Sequence, residues 1–265
     1  MSTTTVTERR STTTVAGRMG ALARAELTLL GRSRATIVSV VLVPLLLPFS
    51  VRAAVDEMDL KEAGLTVGTV LLPAAVGFSL LFAVYAALTT AYVTRREELV
   101  LKRLRTGELR DREILVGAAL PASGIGIAQS VLLAVGCAAL LDVGAPSAPH
   151  LAVLGLLLGI VLCGALAAAT AAFTRTAESA QVTSLPVLFV SMLGSGITVP
   201  LEVLPERVAS VCELLPLTPV ITLVRGGWTG DLSGYDALGA VATALAWTAV
   251  AVFAVRRWFR WEPRR

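Results

Sequence analysis

Arg95-Arg96-Glu97-Glu98-Leu99-Val100-Leu101-Lys102-Arg103-Leu104-Arg105-Thr106-Gly107-Glu108-Leu109-Arg110-Asp111-Arg112-Glu113 is a charged island between two apolar stretches, residues 63–94 and 114–141. Neither stretch contains an Asp, Glu, Lys, Arg or His. Each exceeds the roughly 20 residues that a helix needs to cross the hydrocarbon core of a bilayer. Arg and Lys in short loops between spans stay on the cytoplasmic side. The island over 95–113 therefore reads as a short cytoplasmic connection, dense enough in charge to be gripped there by a partner.

The rest of the 265 residues agrees. A chain that is 55% hydrophobic and 16% charged, with a mean hydropathy of +0.76, is too apolar for a soluble domain of this length. A net charge of +4 and a pI near 9.3 would suggest nucleic acid in a soluble protein. Here the basic residues sit beside apolar runs, so they read as topogenic charge and no nucleic-acid partner is expected. Cys137, Cys163 and Cys212 are far apart and form no CxxC pair, and His150 is the one histidine, in a Pro/Ser turn. That composition supports neither a metal site nor a His-based catalytic centre.

Six spans are expected, over 36–51, 66–93, 114–141, 151–173, 181–199 and 237–255. Pro44 and Pro48 should kink the first. With an even number of spans, both termini share one side. Of the 23 basic residues, all but Arg52, Lys61, Arg207 and Arg225 fall on the face that carries the island and the termini. The positive-inside rule makes that face cytoplasmic, in a multi-pass protein of the plasma membrane.

The segments outside the spans have their own signatures. Residues 1–15 are Ser/Thr-rich with no apolar signal region, and read as a disordered cytoplasmic tail. Residues 16–34 form an amphipathic pattern, with Met19, Leu22, Leu29 and Leu30 on one face and Arg18, Arg24 and Arg32 on the other, expected to lie in the membrane interface. Glu26 falls in the middle of the apolar face and should pair with a basic group there. Between the fifth and sixth spans, over 200–229, prolines at 200, 205, 216 and 219 divide segments too short to cross, expected as short or re-entrant helices on the outer side. Residues 259–265 make a cytoplasmic tail, behind the interfacial Trp258.

Taken in order, Arg24-x-Glu26, Arg96-Glu97, Leu101-Lys102-Arg103-Leu104-Arg105-Thr106, Arg112-Glu113-Ile114-Leu115-x-Gly117, Ser195-Gly196, Pro200-Leu201-Glu202-x-Leu204-Pro205 and Leu215-Pro216-Leu217-Thr218-Pro219 resemble the permease subunit of an ABC-2 type ABC transporter. The likeness is to the drug-resistance permeases of actinobacteria in particular. It implies an all-α integral membrane protein, the six spans over 35–258 with an N-terminal interfacial helix and an outer re-entrant segment. It implies export of a small hydrophobic or amphipathic compound, antibiotic-like, by a permease homodimer seated on two copies of a separate ATPase subunit.

The residues bear on that implication independently. Lys61 and Lys102 are the only lysines and neither lies in a G-x-x-x-x-G-K-[ST] loop, so ATP and Mg should be held by the partner and no cofactor by this chain, which is not itself an enzyme. Coupling to the ATPase is assigned to Glu26, Arg96, Glu97, Lys102, Arg103, Arg105, Arg112 and Glu113, with Leu99, Leu101 and Leu104 as the apolar part of the contact. Phe78, Phe82, Tyr85, Phe189 and Met192 are assigned to the substrate path, and Pro200, Glu202 and Pro205 to an outer gate. No charge lies at mid-depth in these spans, which suits an apolar cargo and disfavours an ion-coupled carrier. A lipid or cell-envelope precursor is the alternative cargo, and a membrane assembly factor the alternative of another class. Gly155 and Gly159 form a GxxxG pair whose commoner use is close packing within one subunit.

Overall fold

Thr66 starts the first helix. Its Oγ1 accepts from the Thr69 amide at 3.2 Å while Thr69 Oγ1 accepts from the Thr66 amide at 3.0 Å, a reciprocal cap that satisfies two orphan donors. The helix, α1, runs Val67–Glu97 and includes Pro73 and a π-helical stretch, Leu80–Ala86. It is followed by α2 (Val100–Arg105), α3 (Asp111–Leu140), α4 (Pro149–Phe173), α5 (Ala177–Gly194), a 3-10 turn at Leu201–Val203, α6 (Glu206–Glu213), α7 (Thr218–Thr229) and α8 (Gly234–Trp258). This computed structural model describes residues 66–106, 110–140 and 143–262, with isolated positions between 14 and 46. Glu26 and, apart from Leu46, the expected first span, 36–51, lie outside the described residues, as does most of the expected interfacial helix.

The described residues are all-helical, without a strand. Among the described residues, four helices are long and apolar enough to cross a membrane: α1, α3 (over Asp111–Ala139), α4 and α8. They coincide with four of the expected spans. A fifth candidate arises if α6 and α7, bent by 102° at their break, count as one. The expected span over 181–199 is instead the 18-residue α5, which is not among the four. It starts earlier because Thr176 and Ser179 form a second reciprocal cap. That start takes in the charged Glu178.

Burial sorts the helices. In α1, 83% of the apolar window is buried, against 11% in α8, so α1 is the core and α8 lies at the edge. Phe78, Leu80, Val84, Tyr85 and Leu88 of α1 pack with Leu162, Cys163 and Ala167 of α4 and with Val220 and Ile221 of α7. Two polar groups of α1 are paired across helices. Ser79 Oγ, with one proton to give, has the Gly126 carbonyl and Gln129 Oε1 both at 3.2 Å as acceptors, and Tyr85 Oη meets Thr170 Oγ1 at 3.0 Å. Val131, Val135, Leu157, Phe189 and Phe253 point outward and are exposed, an arrangement suited to a solvent of lipid chains.

Gly155, Gly159 and Gly227 let α4 and α7 meet closely. A Cβ at Gly155 would lie 3.0 Å from Leu223 Cβ, and one at Gly159 2.9 Å from Val220. The GxxxG pair thus works inside the subunit. At Gly227 a Cβ would stand 2.5 Å from the Ala152 amide nitrogen and 2.9 Å from its Cα, backbone atoms that cannot rotate away. Gly227→Ala is therefore expected to cost about 1–3 kcal/mol through overpacking. Thermal unfolding in detergent measures it, and an unchanged midpoint would contradict this packing.

Candidate functional site

The island's two ends are set by backbone. α1 stops at Glu97, Leu99 takes a left-handed conformation at φ 59°, and α2 begins at Val100. The turn is closed by bonds from the Leu99 amide to the Arg96 carbonyl at 3.1 Å and from the Arg103 amide to the Leu99 carbonyl at 3.0 Å. Arg103 Nη2 also donates to the Glu98 carbonyl at 3.2 Å. α2 packs back on α1 and α3, and Leu101 is buried. This corrects the expectation that Leu101 belongs to an apolar docking face. Leu99 is exposed and Leu104 half-buried.

The structure divides the charged residues expected to face a partner. Lys102, Arg103, Arg105 and Arg112 are exposed. Arg96 is wholly buried, its Nη1 donating to the Ala171 carbonyl at 2.8 Å and its Nη2 to the carbonyls of Thr174 at 2.5 Å and Arg175 at 3.3 Å. Glu97 Oε2 accepts from the Ala177 amide at 3.0 Å. Glu113 Oε2 accepts from the Arg110 amide at 3.2 Å at the start of α3. Of the seven described residues, Arg96 and Glu113 are thus buried and Glu97 partly so, while the four cations Lys102, Arg103, Arg105 and Arg112 lie at the surface.

The C-terminal segment closes over the same face. Lys102 Nζ pairs with Glu262 Oε1 at 2.9 Å, Arg105 Nε with Asp111 Oδ1 at 3.1 Å, and the Arg105 guanidinium lies over the Trp261 ring at 5.3 Å. The Phe173 and Trp258 rings, at the ends of α4 and α8, meet at 5.5 Å, tilted by 50°. The ion pairs are exposed, and each contributes about 0–1 kcal/mol. Their effect is to gather Lys102, Arg105 and Arg260 around one shallow cleft.

The residues expected along the substrate path do not share one lining. Phe78 and Tyr85 are fully buried in the core, Phe82 and Met192 pack partly against it, and Phe189 is 55% exposed on the outside of α5. An open groove of ≈ 620 Å³ lies instead between α3, α4 and α7, lined by Val131, Val135, Val153, Leu156 and Trp228 among others. No sequence signal marked it, since its walls are ordinary apolar positions of three separate helices.

At the opposite end from the island, Glu202 and Pro205 are exposed and Pro200 is buried. Arg225 Nη1 reaches Glu202 Oε1 at 2.6 Å and Oε2 at 2.8 Å, and its Nη2 donates to the Gly196 carbonyl at 3.3 Å. Gly196 has φ 73°, a conformation that costs glycine little. This pair ties α7 to the segment that follows α5. Sequence reasoning placed Glu202 in the gate but took Arg225 only as an outer-face charge, because 23 positions and three prolines separate them.

Long apolar helices around a buried central one, with a basic face at one end and a broken helix pair at the other, define an integral membrane protein. The family model of the ABC-2 type transporter matches residues 18–228, about four fifths of the chain. The chain belongs to the ABC-2 type transporter family, whose members are transport subunits and not themselves catalytic. Permeases of this family generally work with an ABC ATPase. A search of curated proteins found no match.

Proposed function

We propose that the chain is the permease subunit of an ATP-driven exporter. The observation that carries this reading is the row of exposed cations on α2, Lys102, Arg103 and Arg105, held at the end of the core helix α1 beside the connection between α4 and α5. A surface of that kind suits docking to a polar, acidic face. Six spans, with both termini cytoplasmic, complete the picture, the first span and Glu26 belonging to the N-terminal part. Two copies form the membrane path, seated on two copies of a separate ATPase that holds ATP and Mg.

The cargo is a hydrophobic or amphipathic compound of antibiotic type. Spans whose described interior carries hydroxyls and aromatic rings but no mid-depth carboxylate favour such a cargo over an ion. The open apolar groove between α3 and α4 favours a lipid-like cargo as the second reading. Pro200, Glu202 and Pro205, with Arg225 now joined to Glu202, form the outer gate.

Orientation is the first test. With Cys137, Cys163 and Cys212 replaced, a cysteine at Arg103 should be shielded from an impermeant thiol reagent outside intact cells and one at Ser147 labelled. The reverse pattern would put the island where no cytoplasmic ATPase reaches it, and the reading would fall.

A further inference from the structure

Arg96 and Glu97 are neighbours in sequence but grip two different helix ends. The acceptors of the Arg96 guanidinium, Ala171, Thr174 and Arg175, lie in the last turn of α4 and just after it. The donor to Glu97, the Ala177 amide, is the first residue of α5. Free carbonyls make a helix C-terminus partially negative, and free amides make an N-terminus partially positive. The cation therefore holds the negative end and the carboxylate the positive end, on either side of the connection over 174–176.

This arrangement depends on sign and on order. At the C-terminus of its own helix a carboxylate is unfavourable, so Glu97 is favoured at this place by the N-terminus of α5. Arg96 is fully buried and has no face for another protein. The clasp is joined to α2 through Leu99 by the short hydrogen-bonded turn already described. A displacement of the exposed cations of α2 thus has a stiff route to α4 and α5.

We propose that Arg96 and Glu97 are positioning residues, a two-point linkage that makes the connection between α4 and α5 move with α2. The linkage rests on the coupling reading of the island, and it replaces direct docking as the work of these two residues. Force applied to Lys102, Arg103 and Arg105 reaches α4 and α5 through it, while the side chains that face lipid stay uninvolved. The Glu98 side chain, next along the chain and paired with Arg95 at 3.0 Å on the surface, has no part in it.

Two measurements test this. In the purified full chain, Glu97→Ala should speed amide hydrogen exchange over residues 177–180 by about tenfold or more. Glu98→Ala should stay close to the parent protein, and Glu97→Gln, which keeps an acceptor oxygen but loses the charge, should fall between the two. In the complex with its ATPase, spin labels at Thr106 and Glu178 should keep one separation between the nucleotide-free and vanadate-trapped states. Glu97→Ala should let that separation change while the amount of ATPase bound stays within about twofold.

A separation that already changes in the parent complex, one that stays fixed in Glu97→Ala, or loss of ATPase binding in Glu97→Ala would each overturn the linkage. If the parent chain recruits no ATPase, the coupling reading fails. The exchange measurement then decides the clasp alone, and unchanged exchange over 177–180 in Glu97→Ala would remove it.

Discussion

Arg96→Leu is expected to destabilise the protein by about 4 kcal/mol, since each buried acceptor left without its partner costs about 1–3 kcal/mol. The substitution is matched in apolar character to the surroundings, yet it leaves the carbonyls of Ala171, Thr174 and Arg175 facing a side chain that cannot donate. Water cannot easily replace the guanidinium at a position of 0% exposure. Arg96→Lys should be intermediate, because one ammonium point charge cannot reproduce a planar fork that spans three acceptors. Denaturation in detergent together with the amount of protein in the membrane measures both. A loss below about 1 kcal/mol for Arg96→Leu would mean that those carbonyls find other donors.

Reversing Arg103 and Arg105 together should weaken association with the ATPase by about a hundredfold or more, ~3 kcal/mol, because like charges brought together across an interface cost several kcal/mol. The fold should survive. Within the chain the double variant loses the exposed pair with Asp111, the ring contact with Trp261 and the exposed bond from Arg103 to the Glu98 carbonyl, and exposed pairs contribute about 0–1 kcal/mol. Arg95, Arg96, Lys102, Arg110 and Arg112 remain to hold the island on the cytoplasmic side. Affinity of the purified permease for its ATPase, compared at matched insertion, reads the effect directly. Unchanged affinity would remove α2 from the docking surface.

These two substitutions mark where sequence reading worked and where it stopped. The spans of α1, α3, α4 and α8 were legible because each is a long apolar run ended by charge or a break, a pattern that needs no partner to interpret. The island was legible as an island. What its residues touch was not: Arg96 and Arg103 are the same residue type seven positions apart, and their opposite fates depend on where the end of α4 lies, 75 to 79 residues further on. Leu101 and Leu104 differ in the same way, through the side of α2 that meets α1 and α3.

Two other differences have local causes. The fifth helix was expected over 181–199, and it runs Ala177–Gly194. Its start is written in the Thr176 and Ser179 cap, a signal that a hydropathy reading passes over, and it stops before Gly196 turns the chain at positive φ. Phe78 and Tyr85 were read as path residues because aromatic rings suit an apolar cargo, but rings suit a helix core equally. Only the burial of α1 on all sides separates the two uses.

The most direct measurement is of what the island recruits. The full chain, extracted from its own membrane in mild detergent, is assayed for ATP hydrolysis that travels with it. The account predicts an ATP-hydrolysing subunit in stoichiometric amount with the parent chain, and its loss when Arg103 and Arg105 are reversed. Intact permease that carries no ATP-hydrolysing subunit, or one that stays bound equally well after the reversal, would contradict it.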